Sequence, residues 1–367
     1  MGEETGEMGA DSLILEEVTE TKNSLSVVRL DMSFGEIMSM YESDEIIIDP
    51  EFQRLFRWSN LQQTRFIESL ILGIPIPSIY VAETEDGKWE LVDGLQRIST
   101  VLSFFGVLRT IPDKNKWTLL IGELVPSLEN YTSDTLPLKI QLNIKRAVCR
   151  IEIVNWNSKM DMRYELFNRL NTGGSILTDQ EIRNCIFRGT SNEFNRFLDR
   201  MAAKDDFIEL IRPTDRQLEQ KYLEELVLRF ASLVNNNWEK PDNWKNTGDK
   251  LSTYMTQFMK SVTEDENFDI DDLANLFERT LNILSPLGSS IFRSSNGIFS
   301  SSYYDGITVG IASDIDHYEK ADQSEISKKI KQLISNDKFK ANVGAASGTK
   351  SRVINRIKVS LEIFKVD

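Results

Sequence analysis

The apolar positions change period sharply between Trp89 and Phe105, in the stretch WELVDGLQRISTVLSFF. Trp89 to Val92 reads as a short buried strand and Asp93-Gly94 as a turn. From Leu95 onward the period is helical, with Ile98, Val101, Leu102 and Phe105 on one face. Asp93 is placed to cap this helix, and Gln96 three residues later completes a capping-box arrangement. Gly94 has no Cβ, so a ligand can approach its backbone closely. A helix that starts after a strand and a glycine turn aims its first N–H groups and the positive end of its dipole at one spot, which suits an anion. Gln96 and Arg97 occupy that first turn, where Arg97 can offer a planar fork to phosphate.

The same reading places a helix over 33–41, opened by a Ser33/Glu36 capping box, and a strand over 46–48. Ser59 with Gln62 opens another helix, whose apolar face is Phe66, Ile67, Leu70 and Ile71, and Gly73 stops it. GIPIPSIYVAE predicts an extended strand, and Glu85-Asp86-Gly87-Lys88 a hairpin turn back into Trp89. Residues 107–111 read as extended, the segment to about 137 as irregular, and 145–154 as another sheet strand. From Ser158 the pattern is mainly helical. Capping boxes fall at Thr178/Glu181 and Thr190/Glu193, and helices are expected near 216–234, 248–262, 269–284, 322–336 and 350–365. The expected class is therefore α+β. A disordered acidic tail (1–24) precedes an α+β domain (25–157) and a helical domain (158–367).

Composition narrows the chemistry. The 367 residues are 40% hydrophobic and 27% charged, as in soluble globular proteins. No apolar run approaches the length needed to cross a bilayer, and the N-terminus lacks the pattern of a signal peptide. A cytoplasmic location is expected, with no membrane partner. Two cysteines, Cys149 and Cys185, make neither a disulfide framework nor a zinc cluster, and both sit in apolar surroundings. Neither zinc nor haem is expected. A single histidine, His317, argues against zinc peptidases, His-metal nucleases and Ser/His/Asp or Cys/His hydrolases. The net charge of −14 is uneven: seven acidic residues and one lysine fall in 1–24, ten basic and four acidic residues in 323–367. The basic end could meet phosphate even though the whole chain is acidic.

Three polar clusters interrupt the core pattern: Gln53/Arg54/Arg57, Asp93/Gly94/Gln96/Arg97 and Asn168/Asn171/Gly173/Gly174. Three arginines and two glutamines near a helix start suit a multiply charged anion, either a nucleoside triphosphate or a nucleic-acid backbone. Asp93 could hold magnesium with waters and substrate oxygens, or orient an attacking water. Near the C-terminus, GAASGTKS (344–351) has Thr349 where a phosphate loop needs its second glycine, and it lacks a preceding buried strand. It reads as a loop leading into the last helix. Lys350, Arg352, Arg356 and Lys358 on that helix form a candidate basic face for DNA.

In order along the chain, DPEFQRLFRW (49–58), LVDGLQRIST (91–100) and FNRLNTGGSILTDQEIRNCIFRG (167–189) resemble the N-terminal domain family of GmrSD-type modification-dependent restriction enzymes. The resemblance covers roughly residues 30–190. That family is similar in fold to the ParB/sulfiredoxin superfamily. Its box usually reads D-G-Q-Q-R; here Leu95 replaces the first glutamine, while Asp93, Gly94, Gln96 and Arg97 match. The resemblance implies a ParB/sulfiredoxin-like fold and binding and hydrolysis of a nucleoside triphosphate, gating a DNA-directed activity in phage defence. It also implies that Arg54, Arg57, Asp93, Gln96 and Arg97 line the site. Relatives often carry an HNH nuclease domain with its own histidines; a chain whose only histidine is His317 would act with a separate nuclease or partner, or as a sensor. The alternatives are a non-catalytic module that binds DNA or docks a partner, and direct DNA cleavage by the ParB-like domain.

Overall fold

Short alternating runs build a five-stranded mixed sheet: β1 (Val27–Ser33), β2 (Ile46–Ile47), β3 (Ile79–Glu83), β4 (Trp89–Asp93) and β5 (Val148–Val154), in the order β1-β5-β3-β4-β2. β1 is antiparallel to β5 and β3 to β4, whereas β3 runs parallel to β5 and β2 to β4. In this computed structural model the described residues are 26–48, 56–84, 86–155, 178–187, 192–236, 249–265, 267–344 and 346–366, with 14, 15, 18, 19, 22 and 238. The chain forms two compact units, Met1–Leu177 and Thr178–Asp367. The boundary expected at residue 158, and most of the expected acidic tail, lie outside the described residues.

In the first unit, α1 (Phe34–Glu42) starts where the Ser33 hydroxyl accepts from Glu36 N–H. α2 (Asn60–Leu72) has a complete Ser59/Gln62 capping box and ends at Gly73 in the left-handed conformation. α3 (Leu95–Phe105) follows β4 directly, and α4 (Leu138–Arg146) leads into β5. Ile79, Val81, Ile151 and Ile153 on one sheet face are buried with Phe66, Ile67, Ile98, Val101 and Leu102. Removing this much apolar surface from water is the main term holding the unit together.

Several expectations shift for identifiable reasons. The strand drawn through GIPIPSIYVAE begins only at Ile79, because Pro75 and Pro77 have no N–H to give a ladder. Residues 107–111 form no strand; the chain bends at Arg109-Thr110 into a 3₁₀ turn at Pro112–Lys114. Lys145 to Ala147 belong to the end and cap of α4 rather than to β5. The capping box expected at Asp93 is absent: Asp93 ends β4, and Gly94 is the N-cap of α3 with no side-chain cap bond.

The second unit is helical. Its elements are α5 (Asp179–Phe187), α6 (Asn192–Ala202), α7 (Asp205–Ile211), α8 (Asp215–Glu219), α9 (Tyr222–Val234), α10 (Leu251–Glu264), α11 (Ile270–Leu284), α12 (Ser301–Ala312), α13 (Ile315–Tyr318), α14 (Gln323–Ser335), α15 (Asp337–Lys340) and α16 (Lys350–Phe364). Thr178 and Glu181 exchange the two capping-box bonds at the start of α5. The helix expected over 216–234 is two, parted at Lys221, which adopts positive φ. α12 escapes a periodicity search because it is buried nearly all round. Gly306 and Gly310 let it approach its neighbours: an added Cβ would meet Phe339 at 2.8 Å and Phe364 at 2.5 Å.

At the centre of this unit, fully buried Asp305 takes Arg229 Nε at 2.9 Å and Nη2 at 2.7 Å, and it also accepts from Arg356. Burial alone would raise the Asp305 carboxyl, but the two guanidiniums outweigh it and hold it below the ordinary carboxylate value. Such a group stabilises the fold above its unfolded pKa, and that contribution is lost as pH falls through the folded value. Replacing Asp305 with asparagine strands two buried cations. The expected cost is about 3–5 kcal/mol at neutral pH in denaturant unfolding, narrowing against wild type on acidification below the carboxylate range.

Candidate functional site

The first turn of α3 joins three separate parts of the first unit. Gly94 stands at φ 103°, and a Cβ there would lie 2.9 Å from Ile79 Cγ1, so β3 and the β4–α3 turn meet as closely as they do only around glycine. Ile98 is the first residue of the helix to bond back along it, to Gly94 O. The Gln96 side-chain amide oxygen, Oε1, accepts both Arg57 N–H and Trp58 N–H, each at 3.0 Å. Arg97 turns the other way. Its Nη1 donates to Pro77 O at 2.6 Å and Ser78 O at 2.9 Å, and its Nη2 to Asp93 Oδ2 at 2.7 Å.

The segment pinned by Gln96 is held from other sides too. Lys114 Nζ donates to Phe56 O at 2.6 Å and sits over the Phe56 ring, and Gln63 Nε2 donates to Trp58 O at 2.8 Å. Arg57 and Arg97, 40 residues apart in sequence, are thereby brought to the same helix start. Gln53 and Arg54 lie outside the described residues, as do Asn168, Asn171, Gly173 and Gly174.

Strand register adds residues that the sequence reading did not single out. Tyr80 sits opposite Asp93 on one side and Glu152 on the other, and Glu152 sits opposite Arg29. Arg29 Nε donates to Glu152 Oε2 at 2.7 Å. A polar row therefore crosses four strands, Arg29–Glu152–Tyr80–Asp93, and ends at Arg97. Burial chiefly, with help from Glu152 and Asp93, raises the Tyr80 hydroxyl above its ordinary value, against Arg29 and Arg97. The sequence signal was present as polar residues at period two inside otherwise apolar strands. Cys149, on the same strand as Glu152, is buried, and burial pushes its thiol up to about 12, which disfavours the thiolate.

Asp93 is the carboxylate of this row that lies directly before the helix start. Its side chain is 40% exposed beside the helix start, while Arg97 is only 12% exposed and spends its donors on protein oxygens. Magnesium, if held here, would take Asp93 as its ligand together with waters and phosphate oxygens, which suits that ion; among the described residues no group of three or more His, Cys, Asp or Glu converges on one point. A cleft of 410 Å³ lies elsewhere in this unit, between Leu70–Ile76 and Asn143–Val148, and Asp93, Gln96 and Arg97 do not line it.

With this geometry in hand, residues 34–188 match the family described as GmrSD restriction endonuclease, N-terminal domain. Over these residues the chain is similar to a GmrSD N-terminal domain. The match takes in the first two resembling stretches whole and the third as far as residue 188. No curated protein and no solved structure matches the chain. No helix among the described residues is long and apolar enough to cross a membrane.

The proposed basic face on α16 needs correction. Arg356 is fully buried with Asp305 and Ser347 O, so it cannot meet DNA. Lys350 and Arg352 are half-buried, and Lys358 is exposed. His317 bonds Glu325 through Nε2 at 2.9 Å, consistent with a structural role.

Gln96→Ala should release residues 57–58. Two N–H groups lose a shared acceptor, an expected cost of about 1–3 kcal/mol in denaturant unfolding, with faster amide exchange at Arg57 and Trp58. Gln96→Glu, which keeps an acceptor oxygen, should retain most of the protection; equal loss in both variants would contradict the staple.

Proposed function

We propose that the GmrSD N-terminal domain of this chain binds a nucleoside triphosphate at the start of α3 and hydrolyses it, and that this step gates a DNA-directed activity. The observation that carries the reading is the α3 turn itself. A helix start capped only by left-handed Gly94 sits beside a half-exposed Asp93, with Arg57 held alongside through Gln96. Backbone N–H groups of the first turn and the helix dipole would take a phosphate group. Arg57 would add positive charge beside it, while Arg97 is engaged with Asp93 and two carbonyl oxygens. Magnesium, when bound, would supply neutralisation of the phosphate oxygens. Asp93 would hold it or orient the attacking water, while Arg97 acts as a positioning residue that fixes Asp93. Phosphoryl transfer needs chiefly this kind of positioning and charge stabilisation, and no histidine.

The test is phosphate release from nucleoside triphosphates with magnesium, with and without DNA. Asp93→Asn, which can still accept from Arg97, should lower kcat by about 10²-fold or more while leaving the unfolding midpoint close to wild type. Absence of release by wild type with every nucleotide, with or without DNA, would overturn the catalytic reading.

A second reading, DNA binding by the helical unit, has its own observation. Lys328 and Lys331 on α14, Lys338 on α15 and Lys358 on α16 are exposed, and these three helices pack together. If they meet DNA phosphates, affinity falls with salt, and Lys328→Glu with Lys331→Glu should reduce the slope of log affinity against log salt by about 2. Affinity indifferent to salt would exclude phosphate contacts by these lysines.

A further inference from the structure

We propose that β1 is the interface of a homodimer, in which the β1 strands of two copies pair antiparallel about Leu30 and join their sheets into one. Among the described residues β1 is an edge strand, with β5 on one side only. It spans seven residues, contains no proline, and pairs with β5 without a register shift. Natural edges are usually blunted by prolines, lysines or bulges, and this one is not. On its core-side face Val28 and Leu30 remain 45% and 42% exposed, although their cross-strand neighbours Ile153 and Ile151 are buried.

Backbone parity fixes which residues a partner strand would bond. Phe34 N–H donates to Ala147 O, and Asn155 N–H donates to Ser26 O. Those two pairs, with the β1–β5 register, direct the N–H and C=O groups of Ser26, Val28, Leu30 and Met32 toward β5. The backbone groups of Val27, Arg29, Asp31 and Ser33 therefore face the open edge. Two-fold antiparallel pairing must match these odd-numbered residues with one another. Pairing about Arg29 or about Asp31 would set like charges face to face. Pairing about Leu30 sets Arg29 opposite Asp31 of the second copy, twice, which is the charge-matched solution.

The neighbouring strands extend the match. Arg29 already bonds Glu152 on β5, and Asp31 bonds Arg150 through Nε at 3.1 Å. Across the dimer axis the polar face would read Glu152, Arg29, Asp31 of the second copy, Arg150 of the second copy, alternating in sign at every step. On the other face Leu30 meets its own copy, and Val28 meets Met32 of the second copy, covering the exposed apolar pair. Both faces are thus self-complementary in a single register. The inference is independent of the nucleotide reading, since Asp93 and α3 take no part in the pairing.

Sedimentation of the full chain over a wide concentration range should give twice the monomer mass, and Leu30→Asp should return it to monomer with an unchanged circular dichroism spectrum. Opposed non-hydrogen-bonded positions on antiparallel strands lie at disulfide distance. Leu30→Cys should therefore form a covalent dimer on mild oxidation, while Arg29→Cys, Asp31→Cys and wild type, with its two native cysteines, should not. A wild type that stays monomeric at every concentration overturns the proposal. Cross-linking through residue 29 or 31 in place of 30 overturns it equally, because the charge-matched register would then be wrong.

Discussion

Two adjacent side chains in the first turn of α3 hold the first unit in register, and they pull in opposite directions. Gln96 takes the backbone of residues 57–58, while Arg97 takes the carbonyls of residues 77–78 and the Asp93 carboxylate. Both depend on Gly94, whose left-handed backbone sets the helix start against Ile79 with no room for a Cβ. The local cost of that conformation is small for glycine alone. The DGLQR box is therefore first a structural staple, and whatever it binds is presented by a turn that protein contacts have already fixed.

This alters the chemistry available to each residue. A guanidinium engaged with two carbonyl oxygens and a carboxylate has little left for a ligand, so Arg97 contributes by fixing Asp93 and the 77–78 backbone. The Gln96 side-chain oxygen Oε1 is likewise occupied. What remains open to solvent is part of Asp93, with the backbone of Arg57 held nearby through Gln96. Groups already fixed in this way cost no reorganisation when charge develops beside them.

Much of this was legible from single residues, and the losses have physical causes. The strand–glycine–helix change at Asp93-Gly94, the Ser59/Gln62 and Thr178/Glu181 boxes and the stop at Gly73 were written in local chemistry, and each forms as read. The polar row through Tyr80 and Glu152 was not legible, because it depends on which strands become neighbours, and pairing β3 with β5 spans 72 residues. α12 was missed because burial on all sides erases the amphipathic period, and Arg356 was misplaced for a related reason. A basic residue on a helix reads as solvent-facing unless its partner is known, and that partner, Asp305, is 51 residues away.

Leu95 shows how the staple constrains variation inside the box. The family pattern carries a glutamine at this position, but here the side chain is only 6% exposed and belongs to the core beside Ile98 and Leu102. A buried amide would need partners for its oxygen and both N–H groups, whereas leucine needs only contact. The Asp93, Gly94, Gln96 and Arg97 contacts are made with leucine in place, so the geometry of the turn does not depend on an amide at the second position. Exchanging it for an apolar residue moves free energy from polar bonding into packing at the root of α3, and leaves Asp93 as the partly exposed side chain of the turn.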